Sequence, residues 1–273
     1  MNTTVVITGA GGVLCSAFAK EMARTGAPVA LLDLNVEAAQ RVADEIVQAG
    51  GMAKAYQANV LDKASLEAVH EAVVRELGKC RVLINGAGGN HPKATTAQET
   101  YPVGAAPEGS PSFFELEPEG FDFVFRLNMM GSLLPTQVFA QDMLGEGGCC
   151  ILNVSSMNAY RPLTKIPAYS AAKAAVSNFT QWLAVHFAEQ GIRVNAMAPG
   201  FFVTNQNRSL LFDEEGHPTP RTEKILRATP MKRFGEPEEL LGTLRWLTDE
   251  KASGFVTGVV VPVDGGFSAY SGV

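Results

Sequence analysis

Three residues in two short stretches have the types and spacing for proton transfer beside a carbon–oxygen bond. In "AYSAAK", Tyr169 and Lys173 stand four apart, so on a helix they share one face. Thirteen residues upstream of Tyr169, "NVSS" closes an apolar run with Ser156. A phenol with a pKa near 10 is a poor base at neutral pH, and a neighbouring ammonium favours its ionised form. These types make Tyr169 the acid/base, Lys173 its electrostatic support and Ser156 the hydroxyl that orients the reacting oxygen. A Tyr-x-x-x-Lys pair also arises by chance, so the weight lies in its conjunction with Ser156.

Such a set needs a rigid frame, and the chain alternates apolar β-branched runs with stretches of helical spacing. Strands are predicted at "TTVVIT", "PVALLD", "MAKAYQANV", "RVLIN", "CCILNVSS", "IRVNAMA" and "VTGVVVPV", with helices such as 36–49 and 64–77 between them. Continuous rather than alternating apolar strands imply a sheet covered on both faces. The expected fold class is therefore α/β: a single doubly wound, Rossmann-type domain over residues 1–273, with about seven parallel strands and helices on both faces. Two segments break the rhythm: 89–120, rich in Pro, Gly, Thr and Glu, and the polar 204–237. Both follow strand ends, where an open α/β sheet binds ligands, and read as a binding loop and a lid over the site.

Between the first strand and the first helix, "TGAGGVLC" holds Gly9, Gly11 and Gly12. A strand–glycine loop–helix unit presents backbone N–H groups and a positive helix end to a pyrophosphate, though an ordinary tight turn is written with the same residues. Asp33 closes the second strand, 24 residues after Gly9, where an acid grips the hydroxyls of an adenosine ribose. Asp33 also reads as a helix N-cap, a role Asn35 fills equally well. Loop and acid together favour a dinucleotide.

Composition bounds the rest. With 273 residues, 46% hydrophobic and 18% charged, the chain can bury a large core, and a net charge of −6 without any basic run argues against a nucleic-acid partner. No segment approaches a membrane span and no leader precedes the first strand, so no membrane partner and a cytoplasmic location are expected. Cys15, Cys80, Cys149 and Cys150 lack disulfide or metal spacing and read as reduced, mostly buried thiols. The four histidines are scattered, so no metal site is expected.

In order along the chain, "TGAGGVLC", "NGAG" from Asn85, "NVSS", "YSAAK", "RVNAMAPG" from Arg193 and "VTGVVVPVDGG" from Val256 resemble the motifs of the short-chain dehydrogenase/reductase family over nearly the whole length. The resemblance implies catalysis by Ser156, Tyr169 and Lys173, with Asn128 in "RLNMMG" positioning a water that links Lys173 to solvent. It implies NAD as the cofactor, held by Gly9, Gly11, Gly12, Val13, Leu14, Asp33, Asn59, Val60, Asn85, Ala87, Gly88, Tyr169, Lys173, Pro199, Gly200, Phe202 and Thr204. It also implies a homotetramer. Taken alone, Asn128 reads equally as a helix asparagine satisfied by the backbone. Three departures stand out: Val13 and Cys15 replace loop glycines, Gly86 replaces an asparagine, and Asn59 stands where an aspartate often meets the adenine. Cys15 is small enough for close helix packing, and the Asn59 amide oxygen can accept from an adenine amino group.

The substrate residues are expected in the two long segments and at the strand exit: Asn90, His91 and Lys93 in "GNHPK", Asn205, Gln206, Asn207 and Arg208 in "TNQNR", and Ser156, Asn158 and Arg161. Such amide and cationic side chains suit a hydroxylated anion better than an apolar ligand, which would leave them unpaired; alternatively they merely solvate the loops. The glycine-loop variant, the insertion after "NGAGGN" and "PGFFVTNQNR" resemble the sugar-acid branch of the family. The expected reaction is NAD-linked interconversion of a secondary alcohol and a ketone on a sugar acid, D-mannonate/D-fructuronate first and gluconate second. A polyol, steroid or acyl-carrier reductase is the rival enzyme, and a non-catalytic NAD-binding regulator the rival of another class. Met129, Met130, Phe179 and Trp182 read as core or subunit contacts, His186 as a packed histidine, and "DEEGHPTPRTEK" as a solvated lid surface.

Overall fold

The computed structural model describes residues 3–104, 109–204 and 208–272, with Ser209 and Leu210 described as backbone only. Its frame is a parallel sheet in the order β3-β2-β1-β4-β5-β6-β7. The first half runs β1 (Thr4–Thr8), α1 (Val13–Arg24), β2 (Val29–Asp33), α2 (Val36–Gln48), β3 (Ala53–Gln57), α3 (Lys63–Glu76) and β4 (Cys80–Asn85). Then follow α4 (Pro118–Phe125), α5 (Gly131–Phe139), β5 (Cys149–Val154), α6 (Pro167–His186) and β6 (Ile192–Pro199). The chain closes with α7 (Arg208–Leu211), α8 (Pro220–Ala228), α9 (Leu241–Thr248), α10 (Glu250–Ser253) and β7 (Val260–Val263). All seven expected strands form; the five inner ones are short apolar runs that alternate their side chains between two covered faces.

That alternation builds two cores. Val5, Ile7, Val29, Leu31, Ile84 and Leu152 pack with Phe18 of α1, Val42 of α2 and Leu244 of α9. Val6, Leu32, Leu83, Ile151 and Val194 face the other way, onto Leu66 of α3, Phe139 of α5 and Leu183 of α6. Only the edge strands depart: β7 is partly exposed along its length, and β3 is buried only at Ala53, each having a neighbour on one side alone. Burying the Leu and Ile side chains contributes about 1.5–3 kcal/mol each, an upper estimate against a compact unfolded chain.

A buried polar ladder crosses the sheet beneath the site. The Asn85 amide donates to Thr136 Oγ1 at 3.0 Å and Asn153 Oδ1 at 2.9 Å, and the Asn153 amide donates to Thr180 Oγ1 at 2.9 Å. α5, β4, β5 and α6 are thus pinned in register by groups costly to leave unpaired.

The two segments outside the sheet rhythm are more ordered than their composition suggests. The first contains helical turns at Pro92–Ala94 and Phe113–Glu115, the latter held by a capping box between Ser112 and Glu115, before Pro118 opens α4. The second contains α7 and α8, the latter started by the Thr219 cap and Pro220. The capping signals outweigh the polar composition. The charged turn before α8 is exposed.

Candidate active site

From β1 the chain winds outward to β2 and β3, then returns to place β4 on the other side of β1. A crevice opens at such a reversal, beyond the carboxyl ends of the strands. Gly9 turns there with φ +66°, and a Cβ on it would lie 2.9 Å from the Ala87 backbone, so only glycine lets the β1 and β4 exits approach this closely. Gly11 abuts α2, where a Cβ would come within 2.7 Å of Ala38 Cβ. Gly12 is the N-cap of α1 and no side chain caps that helix, which leaves the first-turn amides, Val13 and Leu14 included, for an anion.

The two readings of Asp33 separate in the structure. Asn35 caps α2, its Oδ1 accepting from Ala38 N–H at 3.0 Å. Asp33 instead accepts from Gly11 N–H and Asn35 N–H, both at 2.9 Å, which fixes its carboxylate at the mouth of the glycine loop.

The chemical groups come from β5, α6 and one wide turn. Ser156 lies just past β5 and is buried, its Oγ accepting from Asn158 N–H at 3.3 Å. Pro167 starts α6, which carries Tyr169 and Lys173 on one face with the Lys173 Nζ 5.7 Å from the Tyr169 ring centroid. Lys173 is 4% exposed and donates to the Val154 carbonyl at 2.7 Å. Burial disfavours its ammonium and lowers its pKa to about 8, opposed by Cys15. Burial also raises the Tyr169 phenol above its ordinary value, and a hydrogen bond with Ser156 opposes that rise. In the protein alone Lys173 therefore does not bring Tyr169 down: desolvation outweighs the expected effect of the ammonium.

Asn128 sits in a π-helical turn, Arg126–Met130, between α4 and α5. Such turns widen a helix locally and frequently mark functional positions. Its amide donates to the carbonyls of Gly89 and Val124, both at 2.8 Å, and its Oδ1 accepts from Gly89 N–H at 3.3 Å. A Cβ on Gly88 would lie 2.6 Å from Asn128 Oδ1 and 3.1 Å from Lys173 Nζ, so the turn after β4 runs directly over both.

Among the other expected cofactor residues, Ala87 N–H donates to Thr8 Oγ1, which ties this turn to the glycine loop. Asn59 Oδ1 accepts from Leu61 N–H at 3.0 Å, and buried Val60 packs on Gly131. Asn85 faces into the sheet ladder rather than the crevice, 1% exposed, with its Oδ1 unpartnered among the described residues. Pro199 ends β6, and Gly200 lets the chain pass Asp264, whose Cα a Cβ would meet at 2.6 Å. Phe202 is buried against Gly235, and the Thr204 carbonyl accepts from Arg208 N–H.

The expected substrate groups divide. Ser156 and Asn158 are brought together and buried, and Asn158 Oδ1 has no partner among the described residues. Asn90 turns its amide onto Thr95 Oγ1 at 3.0 Å, and His91 Nδ1 accepts from Lys93 N–H. Lys93 is engaged by Glu117 at 2.6 Å, and Arg161 Nε donates to the Ser268 carbonyl at 3.1 Å. Arg208 is exposed and rests its guanidinium 5.7 Å from the Phe212 ring centre. Asn205, Gln206 and Asn207 lie outside the described residues.

Sequence reasoning passed over Lys165. It is half-buried, holds φ +73° four residues before Tyr169, and its carbonyl accepts from Thr96 N–H; its ammonium makes no ion pair within 4 Å among the described residues, though its charge helps lower the Glu99 carboxyl's pKa. Left-handed backbone at a bulky residue costs of order 1–3 kcal/mol and clusters at functional sites. The proline opening α6 was the one available sign of a turn there. Away from the site, Trp182 is 56% exposed and His186 stacks on it at 4.6 Å, so His186 is a surface residue, not a packed one, because none of the described residues covers that face of α6. All four cysteines are free and buried. Asp213, Glu215 and His217 gather on the exposed turn before α8.

The fold and this set of residues define a class. A family model for the short chain dehydrogenase matches residues 3–215, and the chain belongs to that family of oxidoreductases. A solved structure from Haemophilus influenzae, described with bound NAD as a candidate D-mannonate oxidoreductase, is 62% identical, superposes with a TM-score of 0.96 and is matched over 100% of this chain and 97% of its own. An uncharacterized oxidoreductase of Bacillus subtilis is 57% identical over 99% of this chain and 96% of its own length. The 7alpha-hydroxysteroid dehydrogenase of Escherichia coli is 32% identical over 96% of this chain and 92% of its own. Among the described residues, no helix is long and apolar enough to cross a membrane.

Proposed function

We propose that this oxidoreductase uses NAD to interconvert a secondary alcohol and a ketone on a sugar acid, D-mannonate and D-fructuronate first, gluconate second. The uncapped first turn of α1, the Asp33 carboxylate anchored on Gly11 and the backbone pressed onto Asn128 and Lys173 at Gly88 fit a dinucleotide lying across the switch point. No Arg or Lys lies in the glycine loop or in "LLDLNVE" to receive a 2′-phosphate, which favours NAD over NADP. Similarity to the NAD-bound Haemophilus influenzae protein supports the same choice.

Bound NAD supplies the hydride acceptor, and the protein's part is binding, orientation and proton transfer. Ser156 holds the substrate oxygen by hydrogen bonding. Tyr169 takes the hydroxyl proton in oxidation and returns it in reduction. Lys173 places a buried positive charge beside that phenol. Asn128 fixes the turn that covers Lys173. A sensor without turnover has no need of this buried set of proton-handling groups.

The observation that carries the substrate class is the polar pair past β5: Ser156 and Asn158 lie buried together, with Asn158 Oδ1 unpartnered among the described residues, a lining that suits a hydroxylated ligand. A steroid-like ligand would leave that oxygen unpaired. With Lys93 and Arg161 engaged, Lys165 and Arg208 are the cations we assign to the substrate carboxylate. One panel tests the reading: D-mannonate, D-gluconate, neutral polyols and a hydrophobic alcohol, each with NAD. Either acid should lead in kcat/KM; a lead by the polyols or the hydrophobic alcohol refutes it, and NAD binding with no turnover on any of them favours a regulator.

The outward face of α5 and α6 supports a homotetramer. A groove of about 520 Å³ runs there between Met129, Leu133, Phe179 and Trp182, and large exposed apolar patches mark association surfaces. Light scattering should give four chains; a monomer overturns this.

A further inference from the structure

Two departures from the family motifs, Cys15 in the glycine loop and Gly86 in the turn after β4, meet in space. A Cβ built on Gly86 would lie 2.1 Å from Cys15 Sγ, far inside any contact distance, and 2.9 Å from the Thr8 carbonyl oxygen. Cys15 is 5% exposed in the first turn of α1, and its thiol is pushed up to about 12 by burial, with Lys173 opposing and Asp33 adding to the rise. It is a neutral, inert filler at any ordinary pH. The space a side chain at residue 86 would take is occupied by sulfur from a residue 71 positions earlier.

What lies beyond Gly86 gives this contact a consequence. The turn it begins is gripped on both sides: the N–H groups of Gly86 and Ala87 donate to Thr8 Oγ1 at 3.1 and 3.2 Å, while Gly88 and Gly89 press on Asn128 and Lys173. The sulfur stands between the helix that opens at the glycine loop and this turn. We propose that Cys15 is a positioning residue for the cofactor: with Gly86 it forms a volume-exchanged pair that sets the separation of the α1 start from the 86–89 turn, and thereby the cradle for the nicotinamide half of NAD against Lys173. Close-packed interiors transmit such a change because neither side has free volume to absorb it. The proposal rests on NAD being the cofactor.

The test is a double-mutant cycle of Cys15→Gly, Gly86→Ala and the combined variant, with Cys15→Ser as the conservative control. NAD affinity by calorimetry, KM for NAD, kcat and the melting temperature without NAD are read for each. Gly86→Ala alone should weaken NAD binding tenfold or more. In the combined variant, removing the sulfur should recover a measurable part of that loss, about threefold or more, the 2.9 Å approach to the Thr8 carbonyl remaining, and Cys15→Ser should bind within about threefold of wild type. KM for NAD should move more than kcat, which general loosening of the fold does not produce. If Gly86→Ala does not fold, a folded, NAD-binding combined variant supports the pair. A combined variant no better than Gly86→Ala, or a Gly86→Ala protein that binds NAD like wild type, overturns it. Should wild type itself bind no NAD, the cofactor reading fails. The melting temperatures then still decide the contact: a non-additive cycle upholds the exchanged volume and an additive one removes it.

Discussion

The Lys173 ammonium donates to the Val154 carbonyl at 2.7 Å from a position 4% exposed, so the charge we assign to the chemistry is held at the expense of its hydration. Its pKa falls from 10.5 to about 8 in the folded protein. Between those values the unfolded chain binds a proton that the folded protein has released, and stability rises with pH. The Lys173 contribution is therefore full above 10.5 and lost as pH falls through about 8. Relative to Lys173→Met, wild type should gain stability from pH 8 to pH 10 in denaturant titrations; a difference flat in pH would rule out the buried charge.

Tyr169→Phe removes the proton-handling oxygen and keeps the ring. NAD affinity should hold while kcat drops by roughly 10²- to 10⁴-fold, the usual worth of a lost acid/base. A kcat near normal would place the proton transfer elsewhere.

Asp33 is oriented by two backbone N–H groups beside the glycine loop, where the proposed function places the adenosine ribose. A 2′-phosphate there meets a fixed like charge. Asp33→Ala should narrow the preference for NAD over NADP by about tenfold or more, roughly 1.4 kcal/mol. Equal kcat/KM for the two cofactors in wild type would falsify the assignment.

Lys165→Met and Arg208→Ala test the substrate carboxylate. A lost charge-assisted hydrogen bond of about 1.5–3 kcal/mol raises KM by roughly 10- to 100-fold. At least one variant should show this for the preferred acid, with kcat and the KM for neutral polyols little changed. If neither does, the carboxylate assignment to Lys165 and Arg208 fails, and Lys93 and Arg161 are the next to test.

Glu21 of α1 has a side chain 7% exposed and meets Arg245 of α9 at 2.7 Å and Arg24 at 3.1 Å. Burial alone raises its pKa, but the hydrogen bonds from Arg245 and Arg24 outweigh this and hold it below 4.5. The contribution is thus present above that ordinary value and lost as pH falls through the lower folded one. Arg245→Ala should cost about 1–3 kcal/mol at pH 7, toward the low end because both arginines stand largely in solvent. The gap should close toward pH 3; a pH-independent gap would mean Arg245 acts by packing alone.

The order of strands and helices, the i, i+4 pairing of Tyr169 with Lys173, and Ser156 at a strand end were determined by sequence, because periodicity, capping and helix spacing act over a few residues. The choice of partner by each polar side chain was decided only by the tertiary structure, since it depends on groups far away in the chain. Asn35 took the cap and freed Asp33 for Gly11; Glu117 claimed Lys93 across 24 residues; Ser268 claimed Arg161 across 107. His186 sits in an amphipathic helix, yet no described element came to cover it. Cys15 and Gly86 read as two separate defects in two motifs. They are one contact, because the parallel crossover sets β1 beside β4 and brings the sulfur into the space that glycine leaves.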